Sequence, residues 1–124
     1  MNRTVKAPKH HRGNVSPLHN TVQNELVDIL ERKNRRVKKE YEVPSRVEAG
    51  KCWVVDVADI TDAGNPVYYE VQDGQNASFT EKMLALANHN QIDLVPLYLS
   101  ELRAALGDNP RLADLRAWIE KAVI

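Results

Sequence analysis

The segment from residue 53 to residue 72 constrains the fold of this 124-residue chain more than any other feature of its sequence. It contains two short apolar runs, at 54–57 and 67–72, and the turn-forming residues Thr-Asp-Ala-Gly-Asn-Pro separate them at 61–66. Runs of this length that are rich in valine and tyrosine are typical of β-strands, and a turn between them brings consecutive strands side by side. The segment therefore predicts two strands that pair through a turn in an apolar sheet.

Three oxygen-bearing side chains lie on these two predicted strands. Asp56 lies on the first strand, and Glu70 and Gln72 lie on the second. Side chains alternate between the two faces of a strand, so Glu70 and Gln72 point to the same side, and pairing of the strands would bring Asp56 beside them. Carboxylate and amide oxygens are ligands that Mg²⁺ uses, so the segment predicts a site for Mg²⁺ or Mn²⁺ at the edge of the sheet.

A helix is predicted to begin after Ser16, because serine is a good N-cap and Pro17 suits the first helical position. On a helical wheel Glu25 falls inside the apolar stripe of this helix, and His19 falls on its other flank. A carboxylate on the core-facing side of a helix is uncommon unless it is paired or binds a metal. The stripe itself is formed by apolar residues at three- and four-residue spacing: Leu18, Val22, Leu26, Ile29 and Leu30.

Two further strands are expected. Residues 35–43 alternate between apolar and charged side chains, which predicts a half-exposed strand. Residues 92–99 form a nearly continuous apolar run that suits an internal strand covered on both faces. Pro96 conflicts with full pairing, however, and indicates a bulge or an edge strand.

The remaining segments have the patterns of helices. Ser78, with Glu81 three residues later, predicts a capped helix after the second acidic strand. Ser100 is expected to cap a short helix that ends at Leu106, and residues 112–122 carry the apolar stripe of a C-terminal helix. The predicted order of elements is αβββαβα, which defines an α/β fold with a mixed central sheet flanked by helices.

Asp56, Glu70 and Gln72 in this order of elements resemble the PD-(D/E)xK nuclease superfamily, with Gln72 at the position where lysine is usual. The resemblance covers residues 16–99. Ser-Pro-Leu-His at 16–19 together with Tyr-Glu-Val-Gln at 69–72 is similar to a small subset of the superfamily that uses Glu-x-Gln. Holliday-junction resolvases of the same superfamily carry an acidic residue on their first helix, and Glu25 matches that position.

The resemblance implies a restriction-endonuclease-like core and a metal-dependent endonuclease that hydrolyses the phosphodiester bonds of DNA, such as a homodimeric Holliday-junction resolvase. Asp56 and Glu70 would hold the metal ion with the main-chain carbonyl of Val71, and the amide of Gln72 would orient a water molecule. Glu25 would be an outer ligand or bind a second ion. His19 would belong to the site or be a satisfied structural histidine.

The net charge of zero conceals a strong asymmetry. Residues 1–39 contain ten Lys and Arg against three Asp and Glu, a net of +7, so the other residues carry −7. Residues 1–15 are predicted to be a flexible basic arm before a domain at 16–124. The asymmetry indicates a polyanionic partner or, alternatively, a solvated tail and strand edge. The candidate nucleic-acid contacts are Lys6, Lys9, Arg12, Arg36, Lys38 and Lys82.

Several functional classes are excluded or kept open. The single Cys52 excludes an internal disulfide and a cysteine-based zinc cage, and no apolar run approaches the ~20 residues of a membrane helix. We therefore expect a cytoplasmic protein. Asp59 could replace Asp56 as the first acid, and Glu70 could simply pair with Lys38 across the sheet. A nuclease fold that only binds nucleic acid and an unrelated α/β interaction domain are the competing interpretations.

Overall fold

The computed structural model of the protein describes residues 16–124. The expected basic arm, with Lys6, Lys9 and Arg12, lies outside this range. The described residues form four helices and four strands: α1 (Pro17–Arg32), β1 (Val37–Pro44), β2 (Cys52–Asp59), β3 (Val67–Gln72), α2 (Ala77–His89), β4 (Leu94–Tyr98), α3 (Leu99–Leu106) and α4 (Leu112–Glu120).

The strands form one mixed sheet in the order β1-β2-β3-β4. The pair β2–β3 is antiparallel, as the predicted turn between these strands requires, and the pair β1–β2 is antiparallel as well. The pair β3–β4 is parallel, because α2 connects these two strands. The α/β class and the mixed sheet are therefore confirmed. The order αβββαβα counts a single helix after β4, whereas both of the helices expected there, α3 and α4, are present as separate elements.

Helices cover both faces of the sheet. On one face, α1, α3 and α4 enclose a core with side chains of β2, β3 and β4; its buried residues include Leu26, Leu30, Val57, Tyr69, Leu97, Leu102 and Ile119. On the other face, α2 packs on a smaller core; its buried residues include Val43, Val55, Ala58, Tyr68, Phe79, Leu86 and Leu94. The sheet is thus the middle layer of three, and side chains can reach it from either helical layer.

Two predicted helix starts are corrected by the structure. The N-cap of α2 is Asn76, whose side chain accepts a hydrogen bond from the N–H of Phe79 at 2.8 Å, so the helix begins before Ser78. Asn76 has the extended backbone of an N-cap and asparagine is as good a cap as serine. The N-cap of α3 is Tyr98, without a side-chain cap, because β4 leads directly into the helix and Leu99 is buried in the core.

The apolar run at 92–99 suited an internal strand, but β4 lies at the edge of the sheet, one of the two alternatives that Pro96 left open. Among residues 16–124, β4 pairs only with β3, and Pro96 lies opposite Glu70 in that register. Proline has no amide hydrogen to donate, so an edge is where it interrupts the fewest bonds. None of the helices within residues 16–124 has the length and apolar character needed to cross a membrane.

Candidate active site

Helix α1 directs polar side chains as well as leucines toward the sheet. Ser16 caps it by accepting a hydrogen bond from the N–H of His19 at 3.1 Å. His19 and Gln23 are both buried, and they lie one helical turn apart on the same face. These two residues, rather than Glu25, are the polar groups that α1 presents to β2.

The sheet opens between β2 and β3 at the two predicted acids. Main-chain pairing of the two strands runs from Asp59–Val67 to Val57–Tyr69 and then ends. Beyond it, the N–H of Asp56 donates to Glu70 Oε1 at 3.1 Å, and the N–H of Val71 donates to Asp56 Oδ2 at 2.7 Å. The two carboxylates thus take the place of a strand pair. We call this region, residues 54–56 of β2 and 70–71 of β3, the strand opening.

Two main-chain carbonyls of the strand opening also bind side chains. The carbonyl of Asp56 accepts a hydrogen bond from Gln23 Nε2 at 2.9 Å, and the carbonyl of Val54 accepts one from Lys82 Nζ. Gln23 reaches the strand opening from α1 and Lys82 reaches it from α2, so the two side chains come from opposite faces of the sheet. Buried main-chain groups need partners, so these side chains compensate for the pairing that β2 and β3 do not make.

Lys82 brings a positive charge to the second acid. Its Nζ lies 2.7 Å from Glu70 Oε2, and the side chains of Lys82 and Glu70 are 14% and 2% exposed. Gln72 Nε2 lies 3.4 Å from the same carboxylate oxygen, so Gln72 and Glu70 share a face as predicted. The alternative pairing with Lys38 is wrong, because Lys38 is exposed on β1 opposite Ala58. The ammonium group beside Glu70 therefore comes from a helix and not from position 72.

His19 is the third predicted residue that the fold brings to the opening. Its Nε2 lies 3.3 Å from Asp56 Oδ2, and the two side chains are 10% and 0% exposed. Asp56 Oδ2 therefore contacts both the amide of Val71 and the imidazole ring. This contact limits the rotation of the Asp56 carboxylate within the opening.

Glu25 is not brought to Asp56 and Glu70. It is only partly buried and forms an ion pair with Arg116 of α4, which also lies 3.0 Å from Asp28. The helical wheel put Glu25 inside the apolar stripe, but α4 packs along that flank of α1 and supplies a guanidinium. The contact joins two helices, and the catalytic role assigned to Glu25 from the sequence has no geometric support.

Asp59 lies at the closed end of β2, away from the strand opening. Arg35 Nε lies 2.7 Å from Asp59 Oδ2, and the Thr61 hydroxyl lies 2.6 Å from Asp59 Oδ1. Burial by itself raises the pKa of the Asp59 carboxyl, but the hydrogen bonds from Thr61 and Arg35 outweigh it and lower that pKa. Because Asp59 lies opposite Val67 in the register, Asp56 is the acid that meets Glu70.

The donor atoms at the opening suit a hard cation in kind. The carboxylates of Asp56 and Glu70, the carbonyl of Val71 and the amide oxygen of Gln72 are oxygen ligands of the type that Mg²⁺ and Mn²⁺ bind. Within residues 16–124, no three or more His, Cys, Asp or Glu side chains form a group that could hold a metal ion. An ion here would therefore depend on two carboxylates, with main-chain, amide and water oxygens completing its shell.

The other predicted nucleic-acid contacts differ in position. Arg36 and Lys38 are exposed at the start of β1, where a polyanion could reach them. Lys82 is largely buried and belongs to the opening itself. The sequence spacing already indicated that Lys82 faces the sheet. Lys82 follows Phe79 by three residues and precedes Leu86 by four, and both of these apolar residues are buried.

Gln23 and Glu40 were not predicted from the sequence. Gln23 follows His19 by four residues, which places the two side chains on one face of the helix. Gln23 Nε2 also donates to Glu40 Oε2 at 3.0 Å. No local pattern distinguishes Glu40 from the other charged residues of β1.

Comparison with known proteins leaves the function to be inferred from these residues: no family model, no curated protein and no solved structure matches the chain. The resemblance to the PD-(D/E)xK superfamily thus remains a prediction from the sequence.

Proposed function

We propose that this protein is a metal-dependent endonuclease that hydrolyses phosphodiester bonds of DNA on a restriction-endonuclease-like core. The observation that supports the proposal most strongly is the pair of carboxylates in the strand opening. Asp56 and Glu70 each bind a main-chain amide of the neighbouring strand, and the Lys82 ammonium lies 2.7 Å from Glu70. This combines two acids and one ammonium in a buried location between strands.

The burial of these acids favours a chemical role. Asp56 is 0% exposed and Glu70 is 2% exposed. Removing a carboxylate from water costs several kcal/mol even with good partners, on the order of the values found for buried ion pairs. A continued strand pairing would satisfy the same main-chain groups without burying two charges. Such an unfavourable arrangement is typical of sites where charged oxygens are needed for function.

Each residue of the opening has a role in this mechanism. Asp56 and Glu70 would hold Mg²⁺ or Mn²⁺ with the Val71 carbonyl, and the bound ion would polarise the phosphate and lower the pKa of a water molecule. The Gln72 amide can orient that water by hydrogen bonds. The Lys82 ammonium lies 2.7 Å from Glu70 and would stabilise negative charge that develops on a nearby phosphate.

The direct test is cleavage of four-way junctions, duplex and single-stranded DNA, and RNA with Mg²⁺, with Mn²⁺ and with EDTA. We expect metal-dependent DNA cleavage that Glu70→Gln lowers by more than about a hundredfold, beyond the range typical of outer partners of metal ligands. Glu48→Gln is the control, since Glu48 is exposed and pairs with Lys51 on the surface. Equal rates for wild type and Glu70→Gln would contradict the assignment.

A charge-swap experiment tests the role of Lys82. Lys82→Met should lower cleavage by about ten- to a hundredfold, as removal of a group that stabilises transition-state charge does. Adding Gln72→Lys to that variant should restore much of the rate, because an ammonium would return to the same face beside Glu70. Lys51→Met is the exposed control. If the double variant is no better than Lys82→Met, the ammonium beside Glu70 is structural.

The second candidate keeps the fold without catalysis and makes the protein a nucleic-acid-binding accessory. It is favoured by the contact between Lys82 and Glu70, because the ammonium supplies the positive charge that a metal ion would otherwise bring. Calorimetric titration separates the two candidates. The nuclease should bind Mn²⁺ and lose that binding in Asp56→Asn, whereas the accessory protein binds DNA with equal affinity with or without metal.

The DNA partner is tested by the salt dependence of binding. Contacts to phosphates release counterions, so affinity should fall with salt by a logarithmic slope of about −0.9 per phosphate neutralised on duplex DNA. Removal of residues 1–12 should weaken binding to all sequences and flatten the slope. An affinity that does not change with salt concentration would favour the unrelated α/β interaction domain.

A resolvase also requires two active sites, and sedimentation equilibrium tests the proposed homodimer.

A further inference from the structure

Glu40 has an unusual backbone at the centre of β1. Its φ is +51°, in the left-handed region that non-glycine residues in strands avoid. In the register of β1 and β2, Lys39 pairs with Val57 and Tyr41 pairs with Val55, so Glu40 lies opposite Asp56. The strained residue is therefore the cross-strand neighbour of the proposed catalytic acid.

The distortion changes the face to which β1 directs its side chains. Val37 packs against the core beneath α1, whereas Tyr41 and Val43 pack in the core beneath α2. Regular alternation would put all three on one face, because each is separated from the next by an even number of residues. The left-handed backbone at Glu40 lies at the point where β1 makes this switch, and β2 switches opposite it, between Val55 and Val57.

The Glu40 carboxylate orients the side chain that binds Asp56. Gln23 Nε2 donates to Glu40 Oε2 at 3.0 Å and to the main-chain carbonyl of Asp56 at 2.9 Å. An amide nitrogen has two hydrogens, so these two acceptors use both of them. They also determine which way the amide faces, since its oxygen would be repelled by both acceptors.

We propose that Glu40 and Gln23 are positioning residues that hold Asp56 in the strand opening. Glu40 fixes the amide of Gln23, and Gln23 binds the carbonyl of Asp56 where pairing of β2 with β3 has ended. Strain at such a position is characteristic of functional sites, where surrounding contacts maintain a conformation that the residue would not adopt alone. The inference rests on the proposed function, because it takes Asp56 to be the catalytic acid.

Glycine substitutions at two left-handed positions test whether relief of strain by itself affects catalysis. Glu40→Gly removes both the strain and the carboxylate, whereas Gln91→Gly relieves a similar strain at φ +56° in an exposed loop away from the opening. Gln91→Gly should melt at or above the wild-type temperature, since glycine adopts this conformation without strain, whereas Glu40→Gly also loses the hydrogen bond to Gln23 and should melt near the wild-type temperature. Only Glu40→Gly should lower kcat, by about ten- to a hundredfold as for an outer partner of a ligating carboxylate, with KM unchanged.

A conservative variant of Glu40 distinguishes a positioning role of this residue from a direct effect of its charge. Glu40→Gln retains an oxygen that accepts a hydrogen bond from Gln23, so it should keep kcat within about threefold of wild type on the scale of one neutral hydrogen bond. Gln23→Leu should lower kcat as much as Glu40→Gly does. If Glu40→Gln is folded and loses as much activity as Glu40→Gly, the carboxylate acts by its charge and the positioning role is overturned.

Hydrogen exchange without metal gives a readout that is independent of cleavage. The amides of Val71 and Asp56 donate to the two carboxylates, so their exchange should accelerate in Glu40→Gly and Gln23→Leu and not in Gln91→Gly. The amide of Ala58, in the paired part of β2, is the internal control. Unchanged exchange at Val71 and Asp56 overturns the inference even if the wild type cleaves DNA. An altered exchange in a protein that cleaves nothing removes only the proposed function.

Discussion

Asp56 and Asp59 are two buried acids on the same strand, and their surroundings differ completely. Asp59 lies where β2 is paired on both sides, opposite Val37 and Val67. Asp56 lies where pairing with β3 has ended and where Glu40, its neighbour on β1, has a distorted backbone. Both side chains are at most 1% exposed. Burial alone therefore does not distinguish an acid that supports the fold from one suited to chemistry.

The partners of the two acids explain the difference. Asp59 binds a guanidinium and a hydroxyl, and these groups stabilise its charge and lower its pKa below the ordinary value. Asp56 binds an amide of β3 and the ring of His19, and its own amide binds a second carboxylate, that of Glu70. Like charges held together are a stability cost and a means of attracting a cation. The interrupted strand pairing, rather than the acid itself, marks the candidate site.

The largest expected effect is on cleavage by the two matched variants. Asp56→Asn should lower the rate of metal-dependent DNA cleavage by more than about a hundredfold, since it removes the charge of a proposed metal ligand with little change of shape. Asp59→Asn, corrected for the folded fraction, should cleave at the wild-type rate. Single-turnover assays in Mg²⁺ measure both. Comparable losses of cleavage rate in the two variants would contradict the assignment of Asp56, and not Asp59, to the candidate site.

The free energy of unfolding should respond in the opposite order. Arg35→Met leaves the fully buried Asp59 side chain without its guanidinium, and we expect a loss of about 1–2 kcal/mol, because Arg35 is 35% exposed and Thr61 still binds the carboxylate. Asp56→Asn should be close to neutral without metal, because asparagine keeps a side-chain oxygen that accepts the hydrogen bond from the Val71 amide. Urea unfolding in EDTA measures both changes. A strongly destabilised Asp56→Asn would mean that this carboxylate is structural as well.

The pH dependence of stability isolates the contribution of Asp59. Its pKa is lowered in the folded protein, so its contribution is fully present above the pKa of the unfolded chain and is lost as the pH falls through the folded pKa. Melting temperatures should therefore decline more steeply below about pH 4 in the wild type than in Asp59→Asn. Parallel curves for the two proteins would contradict the stabilisation of the Asp59 charge by Thr61 and Arg35.

The smallest expected effect concerns the ion pair between α1 and α4. Glu25→Gln removes the carboxylate that Arg116 binds, and Asp28 remains as a second partner for the guanidinium. Because this pair is partly exposed, the loss of stability should be well below that of Arg35→Met, and cleavage should be unchanged. Paired urea melts and cleavage rates test this. A large loss of cleavage activity in Glu25→Gln would show that Glu25 takes part in the reaction.

Local patterns predicted much of the fold and part of the site. Alternation and turn residues identified the strands with Asp56, Glu70 and Gln72, and the proline in β4 indicated a bulge or an edge position. Helix starts were less well predicted, because Asn76 and Ser78 are both good caps and the choice depends on where the chain leaves the sheet. The side chains that satisfy the strand opening were predicted only in part.

Periods of two and 3.6 residues in the sequence indicated most of the residues on each strand and helix, though not every boundary. Which residues meet depended on how these elements pack. Arg116 pairs with Glu25 across 91 positions, and Gln23 binds the Asp56 carbonyl across 33. Periodicity defines a face of a helix but not the direction in which that face is turned against the sheet. That direction, set by packing of the whole core, places Lys82 beside Glu70 and leaves Glu25 outside the candidate site.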